Sequence, residues 1–76
     1  MRVRVKYFAS LREQLGSDGV ELDLDEAATV ADVWKLATNL SAPENLLSSR
    51  NLKYAEWDES VEEGDEVAFF PPVTGG

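Results

Sequence analysis

A chain of 76 residues, 43% hydrophobic and 29% charged, is one small globular domain. It is neither disordered nor multidomain, and no apolar run approaches the roughly 20 residues of a membrane helix. With neither cysteine nor histidine, disulfide scaffolds, zinc and iron–sulfur centres, thiol nucleophiles and imidazole-dependent triads are excluded. The net charge of -8 disfavours nucleic acid and anionic membranes and favours a basic protein partner.

Met1 to Phe8 alternates, with Val3, Val5 and Tyr7 on one face and Arg2, Arg4, Lys6 and Phe8 on the other. That period of two predicts a half-buried strand. Arg2, Arg4, Lys6 and Arg12 concentrate cations in the first twelve residues, whereas the remaining chain is acidic. On so acidic a protein the basic stripe reads as a solvated strand face rather than a phosphate track. Ser10-Leu11-Arg12-Glu13 has the form of a capping box, and Gly16 suits a left-handed C-terminal position, predicting a helix of about two turns. Val20, Leu22 and Leu24 alternate with Glu21, Asp23 and Asp25, predicting a second strand.

Thr29-Val30-Ala31-Asp32 repeats the capping pattern with a shorter acid. Val30, Val33, Trp34, Ala37 and Leu40 follow at helical spacing, predicting the main helix, ended or redirected by Pro43. Trp34 within such a stripe reads as core rather than as a ligand-stacking residue. Leu46 to Trp57 has little periodic signal, although Arg50-Asn51-Leu52 fits a tight turn between two short strands, with Asn51 tolerating positive φ. Glu62-Glu63-Gly64-Asp65 is a turn and Val67 to Phe70 a strand. The expected order is β-α-β-α-β-β-β, an α+β domain with a sheet on one main helix. Asp23, Asp25 and Glu26 lack the further ligands and glycine of a calcium loop. The acids from Glu56 to Glu66 read as solvated turn residues.

Residues 1–70 make up the expected domain and 71–76 an extended tail. Pro71 and Pro72 terminate the last strand because neither donates to a ladder. Val73, Thr74, Gly75 and Gly76 then form a slender backbone with an extended reach of about 13 Å. Such a tail suits a narrow channel in another protein, where it would present its own carboxylate. A frayed terminus is the plainer alternative.

The run Gly64-Asp65-Glu66-Val67-Ala68-Phe69-Phe70-Pro71-Pro72-Val73-Thr74-Gly75-Gly76 closely resembles the ending of the small, sulfur-carrying subunit of molybdopterin synthase, the MoaD family. Val5-Lys6-Tyr7-Phe8-Ala9-Ser10-Leu11-Arg12-Glu13 followed by Gly16 is similar to that family's opening strand and helix. Asn51, Tyr54 and Val61 fit its hairpin and following apolar anchor. The resemblance implies a ubiquitin-like β-grasp with a mixed sheet of about five strands. It also implies a non-catalytic sulfur donor without a side-chain active site of its own.

On that resemblance, a ubiquitin-activating-like adenylyltransferase uses ATP to adenylate Gly76, and a sulfurtransferase supplies the sulfur that leaves a thiocarboxylate. The large catalytic subunit then accepts the tail, and sulfur passes to cyclic pyranopterin monophosphate in molybdenum cofactor biosynthesis. The implied assembly is a heterotetramer with two carriers flanking a central dimer. Gly76 is the reacting position, and Gly75, Thr74, Val73, Pro72 and Pro71 form the bound tail. No metal or bound cofactor is expected on the chain itself, nor contact with nucleic acid or membrane. The N-terminal residues have no secretory pattern, so the expected compartment is the cytoplasm.

Strand alternation turns Phe70 and Phe8 away from the helix, and Tyr54 aligns with an apolar contact position in the family. Together they are the expected partner interface. The plainer alternative is that Phe69 and Phe70 pack at a sheet edge. A ubiquitin-like protein modifier, or a sulfur carrier for thiamine or transfer-RNA thiolation, is the competing function for the same activated tail.

Overall fold

The computed structural model describes residues 1–72, so the Val73–Gly76 portion of the expected tail lies outside the described residues. The element order is β1 (Arg2–Tyr7), α1 (Ser10–Leu15), β2 (Gly19–Asp23), α2 (Val30–Thr38), β3 (Leu47–Arg50), β4 (Lys53–Tyr54) and β5 (Glu66–Phe70). The strands form one sheet in the order β2-β1-β5-β3-β4. β1 runs parallel to β5 and antiparallel to β2, while β3 is antiparallel to both β5 and β4. A mixed five-stranded sheet whose first and last strands pair in parallel at its middle, crossed by one principal helix, is the ubiquitin-like β-grasp.

The alternation of β1 survives intact: Val3, Val5 and Tyr7 are buried while Arg2, Arg4 and Lys6 are exposed. Val67 and Phe69 of β5 join them on the inner face, and Val30, Val33 and Trp34 of α2 complete the core. Trp34 crosses Phe69 edge-on at 5.0 Å and Tyr7 at 6.5 Å, and Trp57 stacks on Phe69 at 5.9 Å. The inward reading of Trp34 therefore holds. Its indole N–H donates to the Leu40 carbonyl at 2.9 Å, satisfying a buried donor that would otherwise cost stability.

The two expected helix caps have different outcomes. At α2 the Thr29 hydroxyl accepts from the Asp32 N–H at 3.2 Å, and the Thr29 N–H donates to the Asp32 carboxylate at 2.9 Å. At α1 the capping box does not form. Ala9, not Ser10, is the N-cap, with φ 57° and ψ -139°, and no side chain caps the helix. The Phe8 N–H is already tied to the Phe69 carbonyl at 3.1 Å, so the chain must reverse within one residue and Ser10 falls inside the first turn. Gly16 does take the left-handed position, at φ 64°.

Two apolar stripes are shorter than their spacing predicts. α2 ends at Thr38, where Asn39 adopts φ 57° and its N–H donates to the Lys35 carbonyl. Leu40 therefore lies beyond the helix and is exposed, well before Pro43. In β2, Val20 is exposed although it pairs with buried Val5, because β2 is an edge strand. Gly19 faces the opposite constraint: a Cβ there would collide with the Val5 carbonyl oxygen. β5, by contrast, is the central strand, which removes the sheet-edge explanation for Phe69 and Phe70.

Candidate functional surface

The outer face of the sheet is assembled from residues that alternate with the core. In register, Leu47 faces Phe70, Ser49 faces both Ala68 and Tyr54, and Lys6 faces Ala68. Tyr54 is 80% exposed, and its ring lies 6.1 Å from that of half-buried Phe70, tilted by 46°. Phe8 is 45% exposed and reaches the same end of the sheet through its N–H bond to Phe69. Thus Tyr54 and Phe70 are brought into contact. Phe8 stands beside them without a ring pair to either among the described residues.

Pro71 is half-buried and Pro72 exposed, so the chain leaves the central strand next to this aromatic pair. Proline there removes ladder donors and keeps the exit extended. The expected reacting position Gly76 and its neighbours Gly75, Thr74 and Val73 lie outside the described residues.

Sequence reasoning missed how the hairpin carrying Tyr54 is held. β3 and β4 are joined by Asn51 and Leu52 alone, with φ 53° and 71°, the positive values required by a type I′ turn. The Asn51 side chain donates to Asp65 at 2.8 Å and accepts from the Glu66 N–H at 2.9 Å. Arg50 donates to Asp65 at 2.8 Å and to Glu59 at 2.7 Å. The Glu62 N–H completes the set at 2.8 Å to Asp65.

This network corrects the expectation of solvated acids at Asp65 and Glu59, whereas Glu56, Asp58, Glu62 and Glu63 are exposed as expected. Asp65 is buried and Glu59 half-buried. Burial pushes the Asp65 carboxyl up, but hydrogen bonds from Arg50, Asn51 and the Glu62 N–H outweigh it, and the net displacement is downward. The Arg50 bond, followed by the Glu56 N–H, likewise lowers Glu59, and both acids raise the Arg50 guanidinium in return. Spacing alone offered one clue: an Asn-initiated turn followed by an acid at the head of the last strand.

The basic stripe is exposed, as a solvated strand face should be, and of its side chains only Arg2 makes an ion pair among the described residues. Arg2 and Arg4 face Asp23 and Glu21 across β2, Arg4 also faces Glu66, and Arg2 lies 3.9 Å from Glu21. Lys6 faces Gly19 and Ala68 instead, leaving a cation beside the aromatic end of the sheet. A separate groove of about 440 Å³ between residues 24–28 and α2 includes Asp25, Glu26 and Asp32. Asp32 is spent on the Thr29 cap, while Asp25 and Glu26 are exposed. No group of three acids that could hold a metal ion occurs among the described residues. Among them, too, no helix is long and apolar enough to cross a membrane.

Comparison with known proteins places this surface in context. The profile of the ThiS family matches residues 5–76. The Escherichia coli (strain K12) protein named molybdopterin synthase sulfur carrier subunit is 37% identical, covering 97% of this chain and 99% of that protein. Small archaeal modifier protein 1 of Haloferax volcanii is 36% identical, covering 93% of this chain and 97% of its own. The crystal structure of SAMP1 from Haloferax volcanii superposes with a TM-score of 0.81 at 32% identity, with both chains fully covered.

Proposed function

Because this chain belongs to the ThiS family and is a sulfur carrier of the molybdopterin synthase type, we propose that its reactive group is the Gly76 carboxylate. A carboxylate is a poor electrophile. Attack of one of its oxygens on the α-phosphorus of ATP expels pyrophosphate and gives an acyl adenylate with a good leaving group. A persulfide sulfur on the sulfurtransferase then displaces AMP to give an acyl disulfide. A second thiol cleaves its S–S bond, becoming disulfide-linked to the transferase and releasing a thiocarboxylate that delivers sulfide to cyclic pyranopterin monophosphate. The adenylate forms on a ubiquitin-activating-like adenylyltransferase, with a sulfurtransferase as the source of sulfur.

Carriers of this type work with a larger catalytic subunit, and that subunit supplies the acid–base and electrostatic chemistry of transfer. In the proposed complex Thr74 and Gly75 are the narrow neck, and Val73, Pro72 and Pro71 are the rest of the tail that the partner's channel receives. Phe70, Tyr54 and Phe8 dock the body. Two carriers would flank a central dimer of large subunits in the cytoplasm. ATP is consumed on the activating enzyme, and this chain, with neither cysteine nor histidine, contributes its terminal carboxylate rather than a thiol or imidazole.

The observation that carries this reading is the position of the Phe70–Tyr54 pair. It lies at the point where the central strand gives way to Pro71 and Pro72, so docking the body and feeding in the tail are one event. The test is transfer itself. Thiocarboxylated protein mixed with the large subunit and cyclic pyranopterin monophosphate should form dithiolene product and revert to the carboxylate mass. Persistence of the thiocarboxylate would overturn the reading.

A second reading has support from the identity to small archaeal modifier protein 1. The same acyl adenylate, attacked by a lysine amine instead of sulfur, would give an isopeptide bond. Lysine adducts without sulfur transfer would favour it.

A further inference from the structure

Leu52 sits where the fold gains least from a leucine. It is the second residue of a two-residue hairpin turn at φ 71°, a conformation that glycine or asparagine adopts freely and a bulky side chain does not. It is also 87% exposed, above every other exposed large hydrophobic residue among those described. Leucine therefore brings backbone strain and bare apolar surface to a position where the core takes nothing from it.

The tip is nevertheless rigid. Asn51 is tied at its N–H, its side-chain amide and its side-chain oxygen to Glu66 and Asp65, and Arg50 is tied to Asp65 and Glu59. An exposed leucine on a firmly held tip loses little conformational freedom on docking, which is the condition for a binding anchor. The tip lies beside the start of β5, at Asp65 and Glu66. Tyr54, two residues after Leu52, meets Phe70 toward the tail end of that strand, so the one hairpin presents exposed apolar side chains at both levels of the sheet.

We propose that Leu52 is a partner-docking anchor. It inserts into an apolar pocket of the large catalytic subunit beyond the ground covered by Tyr54 and Phe70. This rests on the carrier reading above, and it makes strain at the tip the cost of a binding contact. The Lys53 ammonium, between the two anchors in sequence, would meet an acceptor on the pocket's rim.

The test uses the full chain and its large subunit, titrated with wild type, Leu52→Asn, Leu52→Gly and Phe70→Ala. Asparagine and glycine both accept positive φ, so each variant should melt at or above the wild-type temperature. Each should nevertheless bind about tenfold more weakly. Unchanged affinity in both Leu52 variants, with weakened Phe70→Ala, overturns the anchor and leaves the carrier reading standing. Unchanged affinity in all three overturns the anchor and the docking surface together. A lower melting temperature in both Leu52 variants also overturns the proposal, because it would make Leu52 part of the fold.

Discussion

Val67 and Phe69 on the inner face of β5 are sealed between sheet and helices, whereas Phe70, the next residue along, shares its surface with 80% exposed Tyr54. One strand thus carries apolar residues of two kinds. The inner ones are explained by burial: Phe69 alone meets Trp34 and Trp57. The outer ones are incompletely covered by the chain itself, and apolar surface that folding leaves uncovered is available to a partner. The difference separates what makes the domain from what the domain presents.

The hardest way to break this contrast is from the inside. Phe69→Ala should cost about 3–5 kcal/mol, enough to leave so small a domain largely unfolded, as denaturant titration would record. Asp65→Ala comes next. It strands Arg50 and Asn51 and should cost about 2–3 kcal/mol, with Tyr54 freed from Phe70 as a change in tyrosine fluorescence. Since Asp65 and Glu59 titrate below their unfolded values, their contribution is complete above those values. It is lost as pH falls through the folded ones. Melting temperature should therefore drop below about pH 4, and Asp65→Asn should flatten that decline.

Phe70→Ala should have the smallest effect on stability, less than about 1 kcal/mol, yet weaken binding to the large subunit about tenfold. Calorimetric titration against a thermal melt separates the two readouts. If Phe70→Ala destabilised the fold as Phe69→Ala does, the distinction between the faces would collapse. Added salt sharpens the same point. An acidic body docking on a basic partner should associate more weakly as ionic strength rises, with the Phe70 contact retaining part of the affinity.

What the sequence made legible follows from where local pattern and tertiary demand coincide. The alternation of β1, the Thr29 box, the stripe through Val30, Val33 and Trp34, and the Asn51 turn all are local rules that the fold leaves in force. Ser10 failed because its capping motif competed with a backbone tie between Phe8 and Phe69 that no local pattern records. β3 was obscure for a related reason. Ser48 points inward opposite Phe69, where period-two reasoning expects an apolar residue. Its hydroxyl is satisfied by the Ala55 carbonyl at 3.1 Å, a bond made only once β4 has turned back. On the candidate surface, Phe70 and Tyr54 were accessible to alternation and resemblance. The Arg50–Asp65–Asn51 network was not, because it joins residues 14 and 15 apart across strands whose pairing had to be known first.

Gly76 is the group proposed to be activated, and intact mass is the most direct measurement of it. The full chain is incubated with its adenylyltransferase, ATP and a sulfur donor, alongside a chain lacking Gly76. The expected result is a mass gain equal to one oxygen replaced by sulfur in the full chain and no change in the shortened one. An unchanged mass in the full chain, or the same gain without Gly76, would contradict it.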